Sequence, residues 1–517
     1  MRCLWSFVGE VSYLVWNKNC YFHHEKGKRD KEKERGGIVM AFRDHREFLE
    51  VLEREGELVR VTQEVDWDLE VGAIGRRVYE REGPCLLFEK IKDYPEGFRI
   101  SNGTLGTWSR VALALGLRKD ASVREIYQVY EERIDRRIAP RIVKKEEAPC
   151  KENIMIGDEV DLFKFPSPMI HEGDGGRYIG TWDIVICKDP ETGWINWGMY
   201  RFMVHTKEWL TGWPQTTSHL AMIFNERYLP KNQPMPIAIV IGSDPLSHLI
   251  ATAPLKPQES EVEYAGGVRG EPVELVPCET VDLLVPAHAE IVIEGEMMPD
   301  KIAMEGPFGE YPGYRSGTMC RGVAVKVKAI TYRNNPILTM ISLGIPPDDS
   351  SIAASLTAAV AMKKGLLRRG VPVTDVYVPP EGVTHLVIVG VKKGGTEVAR
   401  KVLEYFTARR VMTNKHIVVD EDVDVFNMAE VLHAFATKCH PGRGILYEWY
   451  EGRANSLTPF YSPEERKRLK GVSVVFDSTW PPEWSQDIVP IKASFKTIYP
   501  PEIQEKVLKN WEKYGLK

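Results

Sequence analysis

A chain of 517 residues, 43% hydrophobic and 27% charged, has the make-up of a globular protein and is too long for one ordinary core, so two or three domains are expected. Its net charge of -5 gives no basic footprint for nucleic acid. Eight scattered cysteines without a C-x-x-C pair read as reduced thiols of a cytoplasmic protein, and no apolar run spans a membrane, since the nearest, "SIAASLTAAVAM", is short and runs into Lys363 and Lys364.

Residues 1–39 form a leader. "MRCLWSFVGEVSYLVW" has the look of a signal peptide, but Glu10 interrupts it and no small-residue cleavage site follows before "EKGKRDKEKERGG". Two readings stand: a solvated disordered stretch, or a mis-assigned start with translation beginning at Met40. From there "DHREFLEVLEREGELVRV" places Phe48, Leu49, Leu52 and Leu58 near helical spacing, stops at Gly56 and turns into a strand. This opens an N-terminal α/β domain, residues 40–145, closed by the charged, Pro-bearing linker "PRIVKKEEAPC".

Residues 146–330 read as strands. "YIGTWDIVICKDPETGWINWGMYRFMVH" holds two β-rich runs around an Asp-Pro-Glu-Thr-Gly turn, and "PIAIVIG", "VDLLVP", "AEIVIEGE" and "GVAVKVKAITY" follow, a pattern of short strands that predicts an antiparallel barrel. Residues 331–517 alternate again, with "THLVIVGV", "TEVARKVLEYFTARR", "KHIVVD" and "MAEVLHAFATKC" predicting an α/β layer. The tail "PPEIQEKVLKNWEKYG" reads as an exposed amphipathic helix able to dock on a partner subunit.

Three segments carry candidate chemistry. In "NWGMYR", Asn196 and Arg201 differ in parity and would face opposite sides of a regular strand, unless Gly198 allows a bulge; both serve one extended ligand or only one is functional. In "SEVEYAGG", Glu261 and Glu263 precede Gly266 and Gly267, read either as a backbone that approaches a ligand beside a metal-holding carboxylate or as a solvated loop. In "EGPFGEYPG", Pro307 with Gly306, Gly309 and Gly313 rules out continuous helix, so a turn draws Glu305 and Glu310 together, which demands a cation or a proton between them. His219 stands at the start of the apolar run "HLAMIF". Dinucleotide, P-loop, zincin and nucleophile-elbow motifs are absent from the sequence.

In this order and spacing, and with "AFRDHREFLEVLEREGELVRV", "HEGDGGRYIGTWDIVICKDPETG" and "VVDEDVDV" around them, these segments resemble the UbiD family of reversible decarboxylases over nearly all of the chain after residue 40. The resemblance implies an α+β multidomain fold: an N-terminal α/β segment, a split β-barrel that binds prenylated FMN, and a C-terminal α/β oligomerisation domain. It implies Mn2+ (or Mg2+) and K+ at the flavin phosphate, a homo-oligomer (dimer or hexamer), and a flavin prenyltransferase as cofactor supplier.

By motif position, Asn196, His219 and Glu261 are the implied metal ligands. Trp197, Gly198, Met199, Tyr200, Arg201, Ser218 and Lys415 join those three as implied flavin contacts. Arg201, Glu305 and Glu310 are the implied catalytic trio, with Arg201 orienting a substrate carboxylate, Glu305 holding Arg201, and Glu310 giving a proton to carbon. The implied reaction is reversible decarboxylation or carboxylation, with CO2, of an aromatic or α,β-unsaturated carboxylic acid. Glu310 stands where members acting on hydroxybenzoates often have Asp, which disfavours a phenolic substrate. A noncatalytic assembly subunit of an aryl carboxylase and a flavin reductase on a split barrel are the alternative readings.

Overall fold

The run "PIAIVI" lies in the strand Met235–Ile241, whose residues are buried on both faces except Pro236; a strand covered on both sides reads as a continuous apolar run rather than an alternating one. The protein is described from a computed structural model that covers residues 41–316, 319–409, 413–452 and 457–516. The leader 1–39 and the expected start at Met40 lie outside these residues.

Met235–Ile241 sits inside a nine-stranded sheet. Its path is Tyr178–Gly180, Phe202–Thr206, Trp209–Gly212, Cys320–Tyr332, Ile291–Glu305, Met235–Ile241, Asp183–Lys188 and Ile195–Gly198, with Asn153–Ile156 also paired to Cys320–Tyr332. Every neighbouring pair is antiparallel. Ile195–Gly198 ends the path while Phe202–Thr206 stands second, yet only Met199, Tyr200 and Arg201 join them in the chain. In a flat sheet those strands would be about 29 Å apart. Three linking residues reach about 14 Å at most, so the sheet must curl. Register slips between Glu294 and Gly295 and between Met297 and Ile302 supply part of the bend. The result is a curled half-barrel within a mixed α/β multidomain fold.

The N-terminal sheet runs Leu58–Val61, Cys85–Phe88, Arg99–Asn102 and Ile337–Met340. Its last strand comes from beyond residue 330, so a segment expected to open the C-terminal domain instead completes the N-terminal sheet, in parallel with Arg99–Asn102. Arg333 helps hold the crossing through Asp44 at 3.0 Å. The predicted helix and strand at the start of this unit are His45–Arg54 and Leu58–Val61, the helix capped by Asp44.

"SIAASLTAAVAM" lies within the helix Asp349–Leu367, much of it buried between the units; among the described residues no helix is long and apolar enough to cross a membrane. The C-terminal sheet orders Val373–Tyr377, Leu386–Val391, Lys415–Asp420, Gly471–Ser478 and Ile445–Tyr450. Helices Thr396–Arg409 and Met428–Lys438 fall where the alternation predicts them. The tail forms a helix, Pro501–Lys509, with Ile503 and Leu508 exposed.

Candidate active site

Glu305 is the last residue of the strand Ile291–Glu305, paired with Cys320, and the chain then turns at Gly306, whose φ of 76° is a left-handed conformation glycine adopts freely. Phe308 fixes the turn from inside: it is fully buried and its ring lies 4.3 Å from that of Tyr178. Its backbone is tied twice to Ser316, by Phe308 N to Oγ at 2.9 Å and by Ser316 N to Phe308 O at 2.9 Å. Glu310 is thereby returned beside Glu305.

Between the two carboxylates lies Arg201. It donates from Nε to Glu305 Oε1 at 2.7 Å and from Nη2 to Glu305 Oε2 at 2.9 Å, and its Nη1 donates to Glu310 Oε1. Glu305 also accepts from the Tyr178 hydroxyl at 2.8 Å and from Cys320 Sγ at 3.5 Å. A planar fork with parallel N–H groups suits this bidentate grip, which fixes the guanidinium plane. Burial works against the charge of Arg201, but its bond to Glu305 and the two negative groups outweigh that and raise its pKa. Burial lifts the Glu310 carboxyl to about 7, Arg201 draws it down, and Glu305 pushes it up again. One guanidinium balances Glu305, and Glu310 is left poised to hold a proton near neutral pH.

The second group is Asn196, His219 and Glu261. Asn196 Nδ2 donates to Glu261 Oε1 at 2.9 Å and lies 3.3 Å from His219 Nδ1, while Trp197 N donates to Glu261 Oε2 at 3.1 Å. Three distant segments therefore meet at one point. His219 opens a short helix, His219–Ile223, capped by Ser218, and burial lowers its pKa, which favours the neutral imidazole. The solvated-loop reading of "SEVEYAGG" is corrected: Glu261–Arg269 is a helix and Glu261 is only 2% exposed. The close approach made by the glycines is to the chain itself, since a Cβ on Gly266 would lie 2.6 Å from Ile138 O and one on Gly267 2.1 Å from Arg136 O.

Burial raises the Glu261 carboxyl to about 7, and no lysine or arginine pairs with it among the described residues. A buried carboxylate lacking a cation of its own, beside an imidazole and an amide, has the chemistry of a site for a hard divalent ion that takes further oxygens from a ligand. The described residues hold no group of three or more His, Cys, Asp or Glu placed to bind a metal by themselves; the third member here is an amide.

Both groups open into one cavity of about 580 Å³, lined by Asn196, His219 and Glu261 and by Arg201 and Glu310. Trp197, Gly198, Met199, Tyr200 and Ser218 also line it. Glu305 stands behind Arg201, outside the lining. The C-terminal unit contributes Val383, Thr384, Arg409 and Leu457, and the first two, both β-branched, have φ of 43° and 63°. Such residues in the left-handed region are held there by their surroundings at a cost of about 1–3 kcal/mol each. Lys415 is not brought to the cavity: its ammonium lies 4.1 Å from the centre of the Phe460 ring and donates to Asn414 Oδ1 at 3.0 Å. Sequence reasoning missed Tyr178, Thr384 and Trp213, whose ring lines the cavity with its centre 5.4 Å from the Arg201 guanidinium carbon. Of these only Tyr178 carried a signal, its place in "HEGDGGRYIG".

Three family profiles match the chain: the 3-octaprenyl-4-hydroxybenzoate carboxy-lyase N-terminal domain over residues 49–129, the Rift-related domain of the same enzyme over 141–346, and its C-terminal domain over 352–478. The chain belongs to the UbiD family. Among curated UbiD relatives, pyrrole-2-carboxylic acid decarboxylase of Pseudomonas aeruginosa is 33% identical over 91% of this chain and 98% of its own. Ferulic acid decarboxylase 1 of Saccharomyces cerevisiae is 31% identical over 92% and 98%.

Among solved structures, vanillic acid decarboxylase of Sedimentibacter hydroxybenzoicus in closed form superposes with a TM-score of 0.82 at 33% identity, covering 91% of this chain and 99% of that one. An evolved dimeric form of the UbiD-class enzyme HmfF of Pelotomaculum thermopropionicum, in complex with prFMN, gives a TM-score of 0.75 at 28% identity, covering 87% and 97%. This UbiD protein is an enzyme of the carboxy-lyase class.

Proposed function

We infer that this protein catalyses reversible, non-oxidative decarboxylation of an aromatic or α,β-unsaturated carboxylic acid, with prenylated FMN in the cavity. The observation that carries this reading is the placement of the Arg201, Glu305 and Glu310 group and the Asn196, His219 and Glu261 group on one cavity. A flavin fits its size, since cofactor pockets run from about 300 to 1,000 Å³. Likeness to the prFMN-bound HmfF and to aromatic and ferulic acid decarboxylases adds support.

Loss of CO2 from an sp² carbon leaves an electron pair in the ring plane with nowhere to delocalise, and the flavin, when bound, supplies the electron sink. Arg201 binds the substrate carboxylate with the face that Glu305 leaves free, and Glu305 keeps that face from rotating. Glu310 holds a proton at its carboxyl and gives it to the carbon that CO2 has left; in the carboxylation direction it takes the ring proton back. Asn196, His219 and Glu261 would hold Mn2+ (or Mg2+), which together with K+ would supply positive charge to balance the flavin phosphate. Trp197 to Tyr200 and Ser218, which line the cavity, would wall the flavin in.

The reading extends to a cytoplasmic homo-oligomer supplied by a flavin prenyltransferase. The six cysteines among the described residues are all free, as in a reducing compartment, and the exposed tail helix offers Ile503 and Leu508 to a second copy. An intact trio gives the assembly-subunit alternative no support. The test is incubation of the flavin-reconstituted enzyme with a panel of aryl and acrylic acids in deuterated buffer. Deuterium at the former carboxyl position is expected, and no exchange with any acid of the panel counts against the reading.

A further inference from the structure

The segment "HEGDGG", residues 171–176, lies beside the turn that carries Glu310, and its contacts run along nearly the whole turn. Gly175 N donates to Pro307 O at 2.7 Å, and a Cβ on Gly175 would come within 2.0 Å of Gly306 O. A Cβ on Gly309 would meet the His171 ring at 2.5 Å. At the centre is Asp174, whose side chain is fully buried. Its Oδ1 accepts from Gly309 N at 3.0 Å, and its Oδ2 accepts from His171 N and lies 3.0 Å from His171 Nδ1. The other ring nitrogen, Nε2, is 2.8 Å from Leu343 O, and Leu343 lines the cavity.

A buried carboxylate is stable only when its lone pairs are taken up, and here they are taken up by the residue immediately before Glu310 and by a histidine fastened to another wall. Asp174 touches neither Arg201 nor the cavity in these contacts. Its reach to the chemistry is through one peptide unit, Gly309 to Glu310. That unit sets where the Glu310 carboxyl stands relative to Arg201 Nη1.

We propose that Asp174 is a positioning residue for Glu310, holding the acid at the height from which it reaches the reacting carbon, with His171 as the post to which Asp174 is fastened. Removal of the grip frees the Gly309 peptide and lets Glu310 settle elsewhere along Arg201, a displacement small beside the fold but large beside the tolerance of proton transfer. The inference rests on Glu310 acting as the acid.

Asp174→Ala and Asp174→Asn, each as reconstituted holoenzyme, test it, with Glu310→Gln alongside. Asn keeps an acceptor for Gly309 N–H and Ala does not. At pH 5.5 kcat is expected to fall about 100-fold in Asp174→Ala and no more than about tenfold in Asp174→Asn, with KM and flavin content within twofold of the parent. The Asp174 charge also raises the Glu310 carboxyl, so in Asp174→Asn the alkaline fall in activity moves to lower pH. Equal losses in both variants, flavin content falling in step with activity, or kcat within threefold of the parent in Asp174→Ala overturns the proposal. Full turnover in Glu310→Gln removes the acid assignment itself. An inactive Glu310→Gln beside an unaffected Asp174→Ala removes only the positioning role.

Discussion

Asn196 lies in the strand that ends the sheet path and Arg201 stands just before a strand near the opposite end of that path, yet the two are five positions apart in sequence and line the same cavity. Curling converts a parity mismatch along one strand into two walls of one chamber. The crossing of Met199 to Arg201 is therefore what sets the distance between the group around Glu261 and the group around Glu305.

Replacement of Glu310 by Gln keeps the shape and the contact with Arg201 and removes the proton. Turnover is expected to drop by about 100-fold or more, with flavin content unchanged. Stopped-assay product formation together with flavin absorbance checks both halves; a variant as fast as the parent would remove the proposed acid.

The same residue sets a pH dependence. Its carboxyl is raised from 4.5 to about 7 in the folded protein, so the decarboxylation rate is expected to be high below pH 7 and to fall as pH rises through it. The folded state binds this proton more tightly than the unfolded state does. Stability from Glu310 is thus fully present below about pH 4.5 and is lost as pH climbs through about 7, a change on the order of 3 kcal/mol. Urea unfolding of the apoprotein and of Glu310→Gln between pH 4.5 and 8 should show the difference between them changing over that window; parallel curves would contradict it.

Arg201→Met strands Glu305, which is fully buried. Breaking a buried pair by removing one partner costs about 3–5 kcal/mol. Arg201→Met/Glu305→Gln should recover part of the loss, because the remaining group is then neutral. Denaturant midpoints measured at pH 8 decide this, and an unchanged midpoint in Arg201→Met would show that the pair contributes nothing to stability.

Glu261→Gln removes a buried charge that has no lysine or arginine pair among the described residues. The metal-free protein is expected to be as stable as the parent or more so, while Mn2+ retention and flavin loading fall together. Metal analysis and absorbance after gel filtration, set beside a thermal melt, separate a binding role from a folding one.

Gly267→Ala places a Cβ where Arg136 O now lies. The helix Glu261–Arg269 must move off the segment around residues 136–138, at a cost of about 1–3 kcal/mol. Because Glu261 opens that helix, Mn2+ retention is expected to weaken as well. Full stability with full metal content would mean that the close approach is easily relaxed.

Local pattern was legible in the sequence where it is set by neighbours along the chain. The continuous apolar run over Leu386–Val391 follows from burial of both faces of that strand, and the helical spacing over Thr396–Arg409 from burial of one face, and each leaves its own record along the chain. The pairing of Ile337–Met340 with Arg99–Asn102 left no such record, because partners more than 200 residues apart share no local signal. Gly266 and Gly267 announced a close approach, read as one to a ligand, and the partner is the chain's own backbone at Arg136 and Ile138, which no local pattern records. The Glu305 to Glu310 turn was readable because proline fixes its own φ and glycine admits the left-handed backbone that helices exclude, whereas the grip of Asp174 on Gly309 is a long-range contact. Lys415 was given a flavin contact by its place before a motif, and its ammonium lies over the Phe460 ring.

Val383, Thr384 and Leu457, in turns, and Arg409, at a helix end, border the cavity from the C-terminal unit, which contributes neither glutamate of the Arg201 group. The chamber is thus assembled like a lock whose bolt and keyway are cut in separate blocks. Substitutions confined to the keyway recut the accepted shape while the bolt stays untouched, so new specificities are reachable by editing a few loop positions without rebuilding the reactive end.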